Sequence, residues 1–261
     1  MRELPISKQG ATHQTRWICF GKSARIAVES ETESQIKEAM KLIREQLERI
    51  ASLYYLKHQD NIIARINRGT GESIILDEET SSLLDMADRL YELSEGRFDI
   101  GYQTGENYSW SKVRWDRPRL WMPKGMAINL NALLTSHAID RAMEQVSLLT
   151  QIPILIQIGN RAIANSPRMA TRDWWVNLSL PVTDLEAFNK QLVQHAYVLV
   201  DVSRYTNAVT GKPVNMGAKA ISVRARSCTE ANMLAVLATL KGPMAERYLI
   251  DSGADYEMIT R

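Results

Sequence analysis

Cysteine is scarce in this chain, with two in 261 residues, Cys19 and Cys228, far apart and without the spacing of a metal knuckle or a redox pair. That excludes a disulfide scaffold and fits a reducing compartment. No apolar run is long enough to cross a bilayer, and the opening Met1-Arg-Glu-Leu-Pro-Ile-Ser-Lys-Gln-Gly lacks the apolar core of a signal peptide. A cytoplasmic protein with no membrane partner is expected. An excess of either charge is missing too: Lys+Arg 32 against Asp+Glu 30 leaves a formal +2, too little for a field that gathers nucleic acid or anionic lipid. The four histidines, His13, His58, His137 and His195, have no i,i+4 partner and no nearby Cys or carboxylate pattern, so no zinc site is expected.

What remains is an ordinary globular composition, 45% hydrophobic and 24% charged, sufficient for a sizeable core. Trp17 to Val28 reads as two short strands around a Gly-Lys-Ser turn. Ile36, Met40, Ile43, Leu47, Ile50 and Leu53 recur every three or four residues, which predicts an amphipathic helix over 31–56. Leu83, Leu84, Ala87, Leu90 and Tyr91 mark a second helix over 80–94, closed by Ser94-Glu95-Gly96. Met40, Ile43, Leu47, Leu84, Ala87 and Leu90 are the expected core positions of this pair.

Residues 110 to 125 read as β-structure turning at Asp116-Arg117-Pro118, and Met126 to Leu130 as a further short strand. Ser136 to Leu148 returns to helix. Pro153 to Ala164, Trp174 to Leu180, Tyr197 to Val202 and Ala220 to Arg226 read as strands, and helices at 229–240 and 245–251 follow. No linker, repeat or regular βαβ rhythm divides the chain. The expected class is α+β, one compact unit over 1–261 with a mixed sheet and packed helices.

Trp110, Trp115 and Trp121 interleave with Lys112, Arg114, Arg117, Arg119 and Lys124 in the manner of a single-strand stacking platform. The near-neutral total charge favours a plain hairpin with cross-strand aromatic pairs instead, and no nucleic-acid partner is expected.

Ala87 to Asp99 ends in Leu-Ser-Glu-Gly-Arg-Phe-Asp; Ala64-Arg-Ile-Asn-Arg68 follows the first long helix; Ile128 to Ala142 contains Asp140-Arg141-Ala142. Further on stand Ile158-Gly-Asn-Arg-Ala-Ile-Ala, Trp175-Val-Asn-Leu with Pro181, and Thr210-Gly-Lys-Pro-Val214. In order and spacing this series resembles the ApbE family of FAD:protein FMN transferases, from about residue 20 to the C-terminus. The resemblance implies an ApbE-like, T-fold-related architecture and FAD or FMN as ligand. It also implies a protein partner whose Thr or Ser receives FMN with the help of magnesium. Carried over residue by residue, it points to Ser94, Glu95, Gly96, Phe98, Asp99, Asp140, Gly159, Asn160, Thr210 and Gly211 as ligand-binding positions converging on one cleft. Read without the family, the first five are a helix stop followed by a strand, Asp140 is a helix-end charge, and the Gly pairs are turns.

The departures concern charge. Asn232 and Val236 stand where the family's pattern has a metal-binding Asp and Thr, four residues apart on one helix face. Magnesium needs hard oxygen ligands and carboxylate charge, which an Asn supplies poorly and a Val does not supply. Thr135-Ser136 replaces a Lys-Gly pair, Asn129 an Asp, and Arg204, Asn207 and Ala208 a His, an Asp and a Pro. Three readings follow: an ApbE-like protein without transfer activity that binds a flavin nucleotide or a partner, a working FMN transferase with unusual metal ligands, or a structural subunit with an empty pocket.

Overall fold

The computed structural model describes residues 5–57, 60–101, 108–169, 173–178 and 188–260. The chain opens with β1 (Ser7–Gln9), β2 (Thr12–Cys19) and β3 (Lys22–Glu29), then α1 (Glu33–Tyr54), α2 (Ile62–Arg68), β4 (Ser73–Ile75) and α3 (Glu78–Leu93). After a small hairpin of β5 (Arg114–Asp116) and β6 (Arg119–Trp121) come α4 (Asn131–Leu149), β7 (Ile154–Ile158), β8 (Arg161–Ala164), β9 (Trp174–Leu178) and β10 (Phe188–Leu192). It closes through β11 (Ala196–Asp201), β12 (Thr206–Asn207), β13 (Lys212–Pro213), β14 (Ala220–Ala225), α5 (Cys228–Lys241), α6 (Ala245–Asp251) and β15 (Asp255–Ile259).

The main sheet runs β1-β2-β3-β7-β8-β11-β14-β15. Where the sequence left strand direction mixed, every described pairing is antiparallel. Helices α1, α4 and α5 cover one face. The 31–56 helix is α1, and Met40, Ile43 and Leu47 are buried there, as are Leu84, Ala87 and Leu90 of α3. The other face is covered by the β9–β10 ribbon. Strict alternation puts Trp174, Val176 and Leu178 inward, against Ala27, Leu155, Ala162 and Leu199. The last residues of the expected 174–180 strand, together with Pro181 and His58, lie outside the described residues.

Two local expectations are corrected. The first hairpin turns at Phe20-Gly21, with φ of 51° and 69°, one residue earlier than the Gly-Lys-Ser reading. A two-residue turn with both φ positive matches strand twist and needs glycine at one corner. Phe20 tolerates the other because its ring is buried edge-on against Tyr55, centroids 5.8 Å apart. The shift places Lys22 in β3, on the lip of a cleft.

Met126 to Leu130 forms no strand among the described residues, and Leu130, at φ −93° and ψ 3°, is already the N-cap of α4. The Asn67 side chain replaces the ladder: its Oδ1 accepts the Ile128 N–H at 2.8 Å and its Nδ2 donates to the Ile128 carbonyl at 3.1 Å. Both backbone groups of a buried residue are thereby satisfied by one amide. Among the described residues, no helix is long and apolar enough to cross a membrane.

Candidate functional site

A cleft of about 770 Å³ opens where the β2–β3 turn, the segment after α3, the start of α4, the β7–β8 turn and the segment after β11 meet. That volume is within the range of small-molecule sites. Its lining includes Lys22, Arg97, Arg161 and Arg204 against Asp99 and Asp201. Asp99 is committed to the protein, and Asp201 in part, its Oδ2 having no hydrogen-bond partner among the described residues. Asp99 accepts the Gly101 N–H at 2.7 Å, the Ser109 hydroxyl at 2.6 Å and the Trp110 N–H at 3.0 Å. Asp201 accepts the Ser203 hydroxyl at 2.6 Å and lies 3.4 Å from Arg204 Nε. Arg97 pairs with Glu95 at 3.0 Å. Lys22 and Arg161 have no carboxylate partner among the described residues, which leaves the cleft cationic.

Arg161, the first residue of β8, is 5% exposed. Its Nε donates to Ser136 Oγ at 2.8 Å, Nη1 to Asn160 Oδ1 at 2.9 Å and Nη2 to Asn232 Oδ1 at 2.7 Å. All three acceptors are neutral. Burial pulls the Arg161 pKa down from its usual range, yet a guanidinium stays protonated. Lys22 responds more strongly: burial first, then Arg161 and Arg204 nearby, bring its pKa down to about 7.

Helix α4 aims its N-terminus at the same cleft, where Asn131 and Ala132 form part of the wall. Its N-cap, Leu130, offers no side-chain acceptor, but Asn129 Oδ1 accepts the Asn131 N–H at 2.9 Å and the Leu130 carbonyl accepts that of Leu133 at 2.9 Å, so it is the dipole of a 19-residue helix that adds to the basic lining. The N-terminus of α5 is closed by a carboxylate. Asp140 accepts the N–H of Cys228 at 2.8 Å and of Thr229 at 2.7 Å, while Ser227 Oγ accepts that of Glu230 at 3.1 Å.

The positions named from the sequence distribute as follows. Phe98, Asp99, Gly159 and Asn160 line the cleft. Glu95 and Thr210 line a neighbouring depression of about 590 Å³, and Arg97 lines both. Ser94 is buried as the α3 C-cap, its Oγ accepting the Phe98 N–H at 2.9 Å. Glu95 and Gly96, with φ of 57° and 76°, turn the chain out of the helix. Gly211 turns the β12–β13 hairpin at φ 67°. The Arg97 carbonyl accepts the Ala208 N–H at 3.0 Å, which joins the 94–99 and 206–211 segments, and Lys241 pairs with Glu95 at 3.0 Å, which ties the first of them to the end of α5. Asp140 lines neither space; its carboxylate serves α5.

Lys22 and Arg161 were not singled out from the sequence. The available signal was a charged residue inside Pro153 to Ala164, an otherwise apolar β-run, since such a charge has to be buried or to face a ligand. Trp110 and Trp115 donate their indole N–H to Asp88 at 2.6 Å and Asp85 at 2.9 Å. Both rings are thereby tied to α3.

Magnesium does not fit at Asn232 and Val236. The Asn232 oxygen accepts Arg161, its nitrogen donates to the Ala132 carbonyl at 3.1 Å, and Val236 is buried and apolar. A cation is already present where another would have to bind, and no carboxylate is within this set. Among the described residues no group of three or more His, Cys, Asp and Glu could hold a metal ion.

The chain is similar in structure to the ApbE protein of Thermotoga maritima, with a TM-score of 0.81 at 20% identity over 95% of this chain and 94% of that one. The flavin transferase ApbE of Vibrio cholerae gives 0.80 at 16% identity over 98% and 94%. The apo flavinyl transferase ApbE of Pseudomonas stutzeri gives 0.79 at 14% identity over 100% and 93%. No curated protein sequence is a significant match. At these identities the structures establish a common fold, and the family model for ApbE matches residues 20–108 and 102–260. Nearly the whole length being matched by that model, the chain belongs to the ApbE family.

Proposed function

We propose that this protein binds a flavin nucleotide, FAD or FMN, in the Lys22–Arg161–Arg204 cleft and does not carry out magnesium-dependent FMN transfer. The observation that carries the reading is the hydrogen bond from Arg161 to Asn232, which places a fixed cation and a neutral amide where transfer would need a metal on carboxylate oxygen. The ligand class is supported by family membership and by the flavin transferase names of the Vibrio and Pseudomonas neighbours. Lys22, Arg161 and Arg204 would meet its phosphates, and Phe98 and Tyr205 offer aromatic surface within the same lining. The bound flavin would supply the isoalloxazine chemistry; the protein's residues bind and orient it. We further take residues 1–261 to act as one ApbE-like domain in the cytoplasm.

Two measurements test this. Flavin absorption that survives desalting after incubation with FAD or FMN supports the binding reading, and a colourless protein rejects it. Incubation with FAD, magnesium and a Thr- or Ser-bearing candidate target, read by mass spectrometry, is expected to show no added FMN. Added FMN would restore the rival reading, a transferase with unusual ligands and a flavinylation target as partner.

A further inference from the structure

We infer that Arg161 is a built-in substitute for a divalent cation, so that this cleft binds the diphosphate of its ligand without metal. The inference rests on the cleft being a nucleotide site and specifies how its anionic part is held. A guanidinium carries five N–H donors. Three reach Ser136, Asn160 and Asn232, and the remaining two have no acceptor among the described residues. Arg161 is therefore a 5% exposed charge, braced from three sides by neutral groups and not neutralised by any of them.

Leaving a charge in that state is costly unless an anion completes it. The neighbourhood repeats the demand. The Lys22 side chain lines the same cleft with no hydrogen bond or ion pair among the described residues, and Arg204 holds only one acid, Asp201, at 3.4 Å. The α4 helix dipole adds partial charge of the same sign. A diphosphate supplies several charge-delocalised oxygens to groups fixed in place before it arrives. Magnesium would ordinarily perform this neutralisation, but here it would be repelled by Arg161, and its positions on α5 are an amide already in use and a Val side chain. Arg161 differs from a metal in one respect: it is covalently part of the chain and cannot be removed by a chelator.

The test is calorimetric titration of the full-length protein with inorganic pyrophosphate, in EDTA and in magnesium, beside titration with FAD. Binding in EDTA at least as tight as in magnesium is expected. A tenfold or greater gain on adding magnesium would overturn the inference, as would the absence of pyrophosphate binding in both buffers. Arg161→Gln, which keeps hydrogen bonding and removes the charge, is expected to weaken pyrophosphate roughly ten- to a hundredfold. A folded Arg161→Gln protein that binds as the unaltered one does would also overturn it. Should that variant not fold, Lys22→Met on the lip of the cleft is the second variant, expected to weaken pyrophosphate in EDTA; unchanged affinity would again count against the proposal. Failures are separable: FAD binding that pyrophosphate does not displace removes the inference and leaves the flavin reading, while pyrophosphate binding without FAD binding does the reverse.

Discussion

Asp140 on α4 accepts the backbone N–H of Thr229 at 2.7 Å and that of Cys228 at 2.8 Å, so one helix caps the next. A carboxylate at a helix N-terminus combines hydrogen bonding with a favourable dipole. It also occupies the end of α5 that a phosphate would otherwise use. Asp140→Ala is expected to destabilise the protein by about 1–2 kcal/mol in urea unfolding. Asp140→Asn, retaining one acceptor, should cost less. Anion affinity of the cleft should be unchanged in either, and a large loss there would return Asp140 to the binding site.

Asn67 holds Ile128 by both backbone groups. Asn67→Ala leaves a buried N–H and a buried carbonyl without partners, at an expected cost of about 2 kcal/mol or more. Asn67→Asp keeps the acceptor and loses the donor. Thermal unfolding should rank the three proteins Asn, Asp, Ala from most to least stable.

Lys22 makes anion binding dependent on pH. With its pKa at about 7 in the ligand-free protein, the amine is charged below that pH and neutral above it. Affinity for sulfate, whose own charge is constant near neutrality, should fall as pH rises through about 7, while Arg161 and Arg204 stay charged. Lys22→Met should flatten that dependence. The same shift has a stability sign. The folded pKa lies below the ordinary 10.5, so between about 7 and 10.5 the unfolded chain binds more protons, and ligand-free stability rises with pH across that window. Urea midpoints at several pH values would show this slope in the unaltered protein and a smaller one in Lys22→Met.

Restoring the family's metal-site residues should not be enough to restore the metal. In Asn232→Asp with Val236→Thr, the introduced carboxylate meets Arg161, which already reaches that position at 2.7 Å. No response to magnesium is expected, because the carboxylate is engaged by Arg161. Adding Arg161→Ala frees the oxygens, and magnesium should then stabilise the triple variant by about 2.7 kcal/mol at a hundred times its Kd. Magnesium-dependent stabilisation of the double variant would show that Arg161 does not block the position.

Periodicity and capping, which depend on neighbours a few residues apart, were legible in the sequence itself. The apolar stripe from Ile36 to Leu53 became α1, the alternation of Trp174 to Leu178 became β9, and 245–251 became α6 with the same limits. The ordered series of motifs carried the family, and with it the fold. The chemistry of the cleft depended instead on residues remote in sequence. Met126 to Leu130 has the composition of a strand, yet an amide 61 residues away at Asn67 takes the ladder's place. Asp140 matched a motif, and its carboxylate is found capping a helix that begins 88 residues later. Arg161 reads as one charge in an apolar strand until folding brings Asn232 to it across 71 residues. Local pattern is set by backbone geometry and side-chain polarity at fixed spacing. Which groups share a charge is settled only when the elements pack and exclude the water that would have screened them.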